Sequence, residues 1–308
     1  MTLKKGIIAI LGLIIAATLF AACIGSGPAA TEVDTLDREG YPITLPTEIG
    51  SIISIGPSNT EILVELGFGD QIIATDIWSD GVAGIAGDIA VLDMMALDAE
   101  FIIDADPDVI FIAGMTRTQG DDHPLRVVED AGISVLYIPV ATSIAEILED
   151  IQFISDVLDV QERGQSLVAS MEAEMAAIAN IAETISMPRT VYFEISPAPF
   201  MWAVGGGNFQ NEMLELVGAI NILADETAWI SVSDEMFLMH NPDVILTSVD
   251  FLDDPIAEIM ARPGWDVVSA VQDGNIFRLA TDASSRQSHN IIIALWEMAR
   301  AIYPEYFN

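Results

Sequence analysis

Short apolar runs bounded by Gly, Pro, Asn and Asp alternate with amphipathic stretches through most of this chain. Residues 51–55, 71–75, 109–112 and 135–138 read as buried strands. Helical patterns follow three of them or lie between them, at 62–66, 97–105 and 124–131. Ser58 or Asn59 is placed to cap the first of these helices, and Gly67 to end it. Asp98 is placed to cap the second. Strands alternating with helices of this length predict a parallel sheet. Upstream, residues 37–46 read as a small hairpin around Gly40.

From residue 143 to 186 the strand signal disappears. Residues 143–158 form one amphipathic pattern and 161–186 a second, longer one. At 1.5 Å per residue the second spans roughly 39 Å, long enough to bridge two lobes. A long helix lying on one lobe is the alternative. Past Pro188 the α/β rhythm restarts, with strands at 190–195, 244–247 and 275–279. Helices are expected at 210–217, 233–240, 256–260 and 290–302. Gly205-Gly206-Gly207-Asn208 reads as a flexible turn. The predicted fold class is α/β: two Rossmann-like lobes, 37–160 and 187–308, joined by one long helix over 161–186.

An internal repeat supports two lobes. Glu-x6-Pro-Asp-Val-Ile occurs from Glu100 to Ile110 and again from Glu235 to Ile245. Each copy reads as a short helix, a Pro-Asp turn and a buried strand. Two lobes imply a cleft, and two matched carboxylates suggest a partner that grips both.

The first 23 residues read as an export segment. Lys4 and Lys5 precede an apolar run that ends in Phe20-Ala21-Ala22-Cys23. Cys23 is the only cysteine in the chain, so no internal disulfide explains it. Acylation there would anchor the protein to a membrane. Phe20 stands where such sites commonly carry Leu. An uncleaved membrane anchor is the alternative, although a span wants about 20 apolar residues. Residues 24–36, rich in small and polar side chains, read as a flexible tether.

The formal net charge is −36, and Lys4 and Lys5 are the only lysines. Such a surface repels nucleic acid and anionic headgroups. An apolar content of 52% argues against disorder.

The landmarks Ser54-Ile55-Gly56-Pro57-Ser58-Asn59-Thr60-Glu61, the two Glu-x6-Pro-Asp-Val-Ile copies and the 205–215 segment occur in a characteristic order. Arg262-Pro263-Gly264-Trp265 and Gly274-Asn275-Ile276-Phe277 complete it. In these the chain resembles the substrate-binding proteins of ABC importers for cobalamin and ferric siderophores, over about residues 34–308. The resemblance implies a monomer held at the outer face of the cytoplasmic membrane, with its ligand between the lobes. It implies a permease and its ATPase as partners, no catalysis and no resident cofactor. It also places on Glu100 and Glu235 the two carboxylates that pair with permease arginines. Read from the residues alone, each is equally a first-turn Glu favoured by its helix dipole.

Ligand-binding candidates lie on loops at the carboxyl ends of strands. They are Trp78, Met94, Met115 and Arg117 in the first lobe, and Trp202, Trp229 and Arg286 in the second. The resemblance places Trp78 and Trp229 on aromatic positions lining the pocket, and Met94 where the cobalamin branch has an aromatic. Aromatic rings suit a flat macrocycle. Arg117 and Arg286 would hold carboxylate or phosphate groups if they face the cleft; otherwise they pair with surface acids. His123, His240 and His289 fit no metal-ligand spacing, so no metal site is expected. An enzyme on a two-lobed α/β fold is the competing class. The chain has no Walker-type phosphate loop, and the Gly205–Gly207 run lacks a βαβ fingerprint.

Overall fold

The computed structural model describes residues 32–114 and 125–307. A hairpin of β1 (Glu32–Leu36) and β2 (Pro42–Pro46) precedes the first lobe. That lobe runs β3 (Ile52–Ile55), α1 (Pro57–Glu65), β4 (Ile72–Asp76), β5 (Ala90–Leu92), α2 (Ala99–Ala105), β6 (Val109–Ala113), α3 (Arg126–Asp130) and β7 (Ser134–Ile138). Its strands lie in the order β5-β4-β3-β6-β7, all parallel. The order reverses direction between β3 and β6, which makes the carboxyl ends of those two strands a switch-point crevice.

Two helices follow, α4 (Ile144–Val157) and α5 (Gln161–Ala182). The second lobe then runs β8 (Thr190–Ser196), β9 (Trp202–Val204), α6 (Phe209–Leu216), β10 (Ile220–Asn221), β11 (Trp229–Ser231), α7 (Asp234–His240), β12 (Val244–Thr247), α8 (Pro255–Met260), α9 (Ser269–Gln272), β13 (Ile276–Arg278), α10 (Thr281–Ser285) and α11 (Ile291–Ile302). Its sheet order is β11-β9-β8-β12-β13, with β10 beside β8. Strands β8, β10, β12 and β13 are parallel, while β9 and β11 add an antiparallel pair at one edge.

Strand pleating divides the interior into three. Ile53, Ile55, Ile110 and Ile112 pack on the outer face of the first sheet, with Ile102 of α2. Tyr192, Ile245, Phe237 and Trp265 do the same in the second lobe. The inner faces share one continuous core that contains Val109 and Phe111, Ile147 and Ile151 of α4, Met171 and Ile178 of α5, and Val244 and Leu246. Helix α5 packs against α4 on one side and α6 and α11 on the other. At about 33 Å it therefore bridges the lobes. An apolar core shared by both lobes resists their separation, because opening would expose it to water.

Several local expectations are corrected. The strand Glu32–Leu36 occupies part of the segment read as tether, because it pairs antiparallel with β2 along its whole length. Helix α1 is capped by Gly56, not by Ser58 or Asn59: Pro57 sits at its first position, where a missing N–H costs nothing. Gly67 does end that helix, at φ 89°. Helix α5 stops at Ala182, four residues short, where the Thr184 hydroxyl bonds the Ile181 carbonyl at 2.7 Å. The Gly205–Gly207 run is no flexible turn. Gly205 and Gly206 are buried and donate to the carbonyls of Ala228 (2.7 Å) and Glu226 (2.5 Å). A Cβ on Gly206 would lie 2.1 Å from the Ala224 carbonyl oxygen. Glycine is there to let two backbones meet.

Candidate ligand cleft

The crevice predicted by strand order is present. Gly56, Asn59, Ala113, Gly114 and Val140 of the first lobe, with Ser285 to Gln287 of the second, line a cavity of about 200 Å³. A Cβ on Gly56 would lie 2.6 Å from the Ala113 Cβ, and its φ is 101°. Only glycine lets β3 and β6 end side by side here. A cavity this small does not enclose a macrocycle; it is the floor of an open cleft.

The rims above that floor are aromatic and apolar. Trp78 (61% exposed), Ile77, Met95 and Val140 stand on loops after β4, β5 and β7. Phe200 (77% exposed) and Phe251 (70%) stand on loops after β8 and β12. Trp202 and Trp229 lie on the edge pair β9 and β11, where Trp202 faces Ser231 and Trp229 faces Val204 across the ladder. The two indoles therefore share one face of the sheet. Trp229 is half-buried against the inner core and donates to Gln210 Oε1 at 2.5 Å, whereas Trp202 is exposed.

A buried polar network aims the Trp78 loop. Asp76 accepts from the backbone N–H groups of Gly56 (2.6 Å) and Trp78 (2.8 Å) and from the Ser79 hydroxyl (2.6 Å). Thr60 joins Ser79 to Ser54. One carboxylate thus ties the end of β4 to the end of β3.

Arg286 reaches across the lobes. It donates to Glu61 of α1 at 2.5 Å and to the Trp78 carbonyl at 3.3 Å, and pairs with Asp282 at 2.8 Å. Ser288 and Asn290 also donate to Glu61, which is buried. The cation expected to hold a ligand is therefore committed to two carboxylates. A second inter-lobe cavity, of about 460 Å³, lies behind this cluster and is lined by Glu61, Glu65, Asp80, Asp282 and His289. It is the larger of the two, but it sits on the flank of α1 and not at the β3–β6 switch point.

Of the other expected site residues, Met94 lines the cleft floor. Met115, Arg117, His123 and Cys23 lie outside the described residues. His240 is exposed at the end of α7; His289 is half-buried near Glu65, and burial holds its imidazole below the ordinary value. Among the described residues no group of three or more His, Cys, Asp or Glu is arranged to hold a metal ion. No described helix is long and apolar enough to cross a membrane.

Glu100 and Glu235 are both exposed, each in the first turn of its helix, behind the N-caps Asp98 and Ser233. Both helices cover the outer face of their sheet and turn directly into a parallel strand. Their first turns therefore lie on the carboxyl-end side of each sheet. Sequence reasoning missed Phe251, Val140 and Glu61. The strand-end loop rule points to the first two; nothing local marks Glu61.

Two α/β lobes with a shared core and an aromatic-rimmed cleft at their strand ends define a two-lobed binding protein. Residues 52–283 match the family described as Periplasmic binding protein, and the chain belongs to that family. It is 29% identical over 273 residues to an uncharacterized ABC transporter substrate-binding lipoprotein, YvrC, of Bacillus subtilis, covering 88% of this chain and 85% of that one. It is 24% identical over 277 residues to a cobalamin-binding protein of Halobacterium salinarum, covering 87% and 73%. A possible iron-binding periplasmic solute-binding protein from Staphylococcus epidermidis superposes with a TM-score of 0.73 at 30% identity, covering 83% and 100%.

Proposed function

We propose that this protein is the extracytoplasmic binding component of an ABC importer that captures a corrinoid or a ferric-siderophore-type iron complex between its lobes. It hands the ligand to a permease driven by an ATPase and performs no chemistry. The observation that carries this reading is the pair of aromatic rims, Trp78 on one lobe and Phe200, Trp202 and Phe251 on the other, exposed at strand ends. Exposed rings facing a cleft present much apolar surface at low entropic cost, which suits a flat metal complex. The cobalamin-binding relative and the structure described as a possible iron-binding protein support the ligand class. In this reading Cys23 carries the lipid that holds a monomer at the outer face of the cytoplasmic membrane, and Glu100 and Glu235 dock on the permease. Haem or another metal chelate is the second reading for the same cleft, and a sensor or adhesion domain on the same fold is the third.

Tryptophan fluorescence titrated with cyanocobalamin, haem and ferric siderophores tests it. Saturable quenching by one class is the expected result. Absence of binding by every class, with turnover of some substrate, overturns it.

A further inference from the structure

Consecutive residues of the second lobe, between α10 and α11, all reach the first. Arg286 donates to Glu61 at 2.5 Å, and Gln287 accepts from the Ser58 hydroxyl at 3.3 Å. Ser288 and Asn290 also donate to Glu61, Asn290 at 2.9 Å, and His289 Nε2 lies 3.6 Å from the Glu65 carboxylate. Their partners Ser58, Glu61 and Glu65 stand at i, i+3 and i+7 of α1, on one face of that helix. The seam is thus a line of polar contacts centred on one buried carboxylate. The cavity of about 460 Å³ borders it, lined by Glu61, Glu65, Arg286, His289 and Asn290. Close packing does not fill this flank of α1, so charge-assisted hydrogen bonds join the lobes here.

Arg286 carries the seam to the cleft rim. Its Nη2 donates to the Trp78 carbonyl at 3.3 Å, while the Trp78 N–H donates to Asp76 at 2.8 Å. Both backbone polar groups of Trp78 are held, one from each lobe, and its side chain is left exposed. A ring on a fixed backbone is in position before a ligand arrives. A free loop would have to be ordered on binding, which costs affinity.

We propose that this seam is an inter-lobe clasp in which Glu61 and Arg286 are positioning residues. They preset the Trp78 rim, and the spacing of the lobes beside it, in the ligand-free protein. The shared apolar core holds the lobes together, and the clasp extends that hold to an exposed loop. What the preset cleft serves rests on the importer reading.

Hydrogen exchange of the ligand-free, full-length protein tests the clasp. Glu61→Gln keeps the side-chain shape but removes a carboxylate that three donors share. Exchange over residues 76–80 and 286–290 is expected to quicken about tenfold, with the central strands β6 and β12 unchanged. In stopped-flow titration with cyanocobalamin the association rate is expected to fall about tenfold with dissociation little changed, because only molecules with the rim in place can bind. Arg286→Lys keeps a cation for Glu61 but lacks the fork that also reaches Trp78. It is expected to quicken exchange over 76–80 more than over 286–290, and it decides the question by the same readouts if Glu61→Gln does not fold. A lower melting temperature with unchanged exchange over 76–80 would make the cluster purely stabilising and overturn the proposal. An unchanged association rate would overturn it too. Exchange needs no ligand, so it decides the clasp even if no metal complex binds, an outcome that removes the importer reading alone.

Discussion

Asp108 holds Ser51 by both ends of its own residue. Its Oδ2 accepts from the Ser51 N–H (2.8 Å) and hydroxyl (3.0 Å), while its N–H donates to the Ser51 hydroxyl oxygen at 3.0 Å. The second repeat reproduces the arrangement: Asp243 accepts from the Thr190 N–H and hydroxyl, each at 2.8 Å, and its N–H donates back at 3.1 Å. Before each Asp the helix ends on a left-handed residue, Asp106 or Asn241. In both copies the motif joins the strand leaving a helix to the first residues of the neighbouring strand, and so fixes the register of the sheet centre.

Replacing Asp243 by Ala is expected to destabilise the protein by about 0.5–1.5 kcal/mol, the net worth of hydrogen bonds whose donors water can re-pair at an exposed strand start. Asp108→Ala should cost a similar amount, because the geometry is repeated. Urea denaturation of the two single variants checks this. Near-zero cost in both would reduce the repeat to a trace of sequence ancestry.

The strands were legible because their apolar runs are flanked by Gly, Pro and Asp, and the two lobes because a motif recurs. The cap Asp98 was legible from local spacing, and it accepts from the following helical N–H groups as expected. Other features depend on chain segments far apart in sequence. Glu61 and Arg286 meet only because the loop before α11 folds back on α1, so each alone reads as a surface charge. Gly205 and Gly206 read as flexible from composition, yet the carbonyls of Ala224, Glu226 and Ala228 fill the space beside them. Phe251 follows the strand of the second repeat, and the rule that ligands sit at strand ends points to its loop, but nothing in its immediate sequence marks the ring itself.

A buried ion pair braces the second lobe. Arg262 meets Glu194 of β8 at 2.6 and 3.0 Å, pairs with Glu258 and lies 4.4 Å from the Trp265 ring. Burial pushes the Glu194 carboxyl above its ordinary value, which makes this carboxylate dependent on its partner. Arg262→Ala is expected to cost about 3–5 kcal/mol, because it leaves a charge buried and unpaired. Arg262→Lys should rescue only part, since an ammonium reproduces neither the two-pronged bond nor the stacking. Chemical denaturation of both variants gives the order; equal stability of Lys and Arg would contradict it.

Asp150 gives the cleft a pH signature. Burial raises its pKa from 3.8 to about 6, against the opposing bond from Arg38. The folded state therefore holds this proton more tightly than the unfolded chain. The stabilisation it brings is fully present below pH 3.8 and is lost as pH rises through about 6. Over that window the contribution is about 1–3 kcal/mol. Asp150→Asn, which still accepts from Arg38, should flatten that part of the profile. Melting temperatures of the two proteins measured from pH 4 to 7 should therefore diverge most at the neutral end, with the Asn variant higher there. Parallel curves would show that Asp150 ionises as freely in the fold as in the unfolded chain.

The Glu100 and Glu235 pair is expected to act in transport without acting in binding. Each is exposed, and each helix start is fixed independently of it: α2 by the Asp98 cap, and α7 by the Ser233 cap and by Asp234, which accepts from Trp265 Nε1 at 2.8 Å. The continuous inner core holds the lobes, and hence the two carboxylates, at one separation. Replacing both by Ala should cost no more than the first-turn dipole term, about 0.3–1 kcal/mol each, and leave ligand affinity unchanged. Ligand-driven ATP hydrolysis and uptake by the reconstituted importer should be lost. Single variants should retain part of both activities, because one anchored lobe still aligns the cleft with the permease. A fall in ligand affinity in the double variant would instead move these residues into the cleft. Unchanged uptake would leave their exposure to be explained by the helix dipole alone.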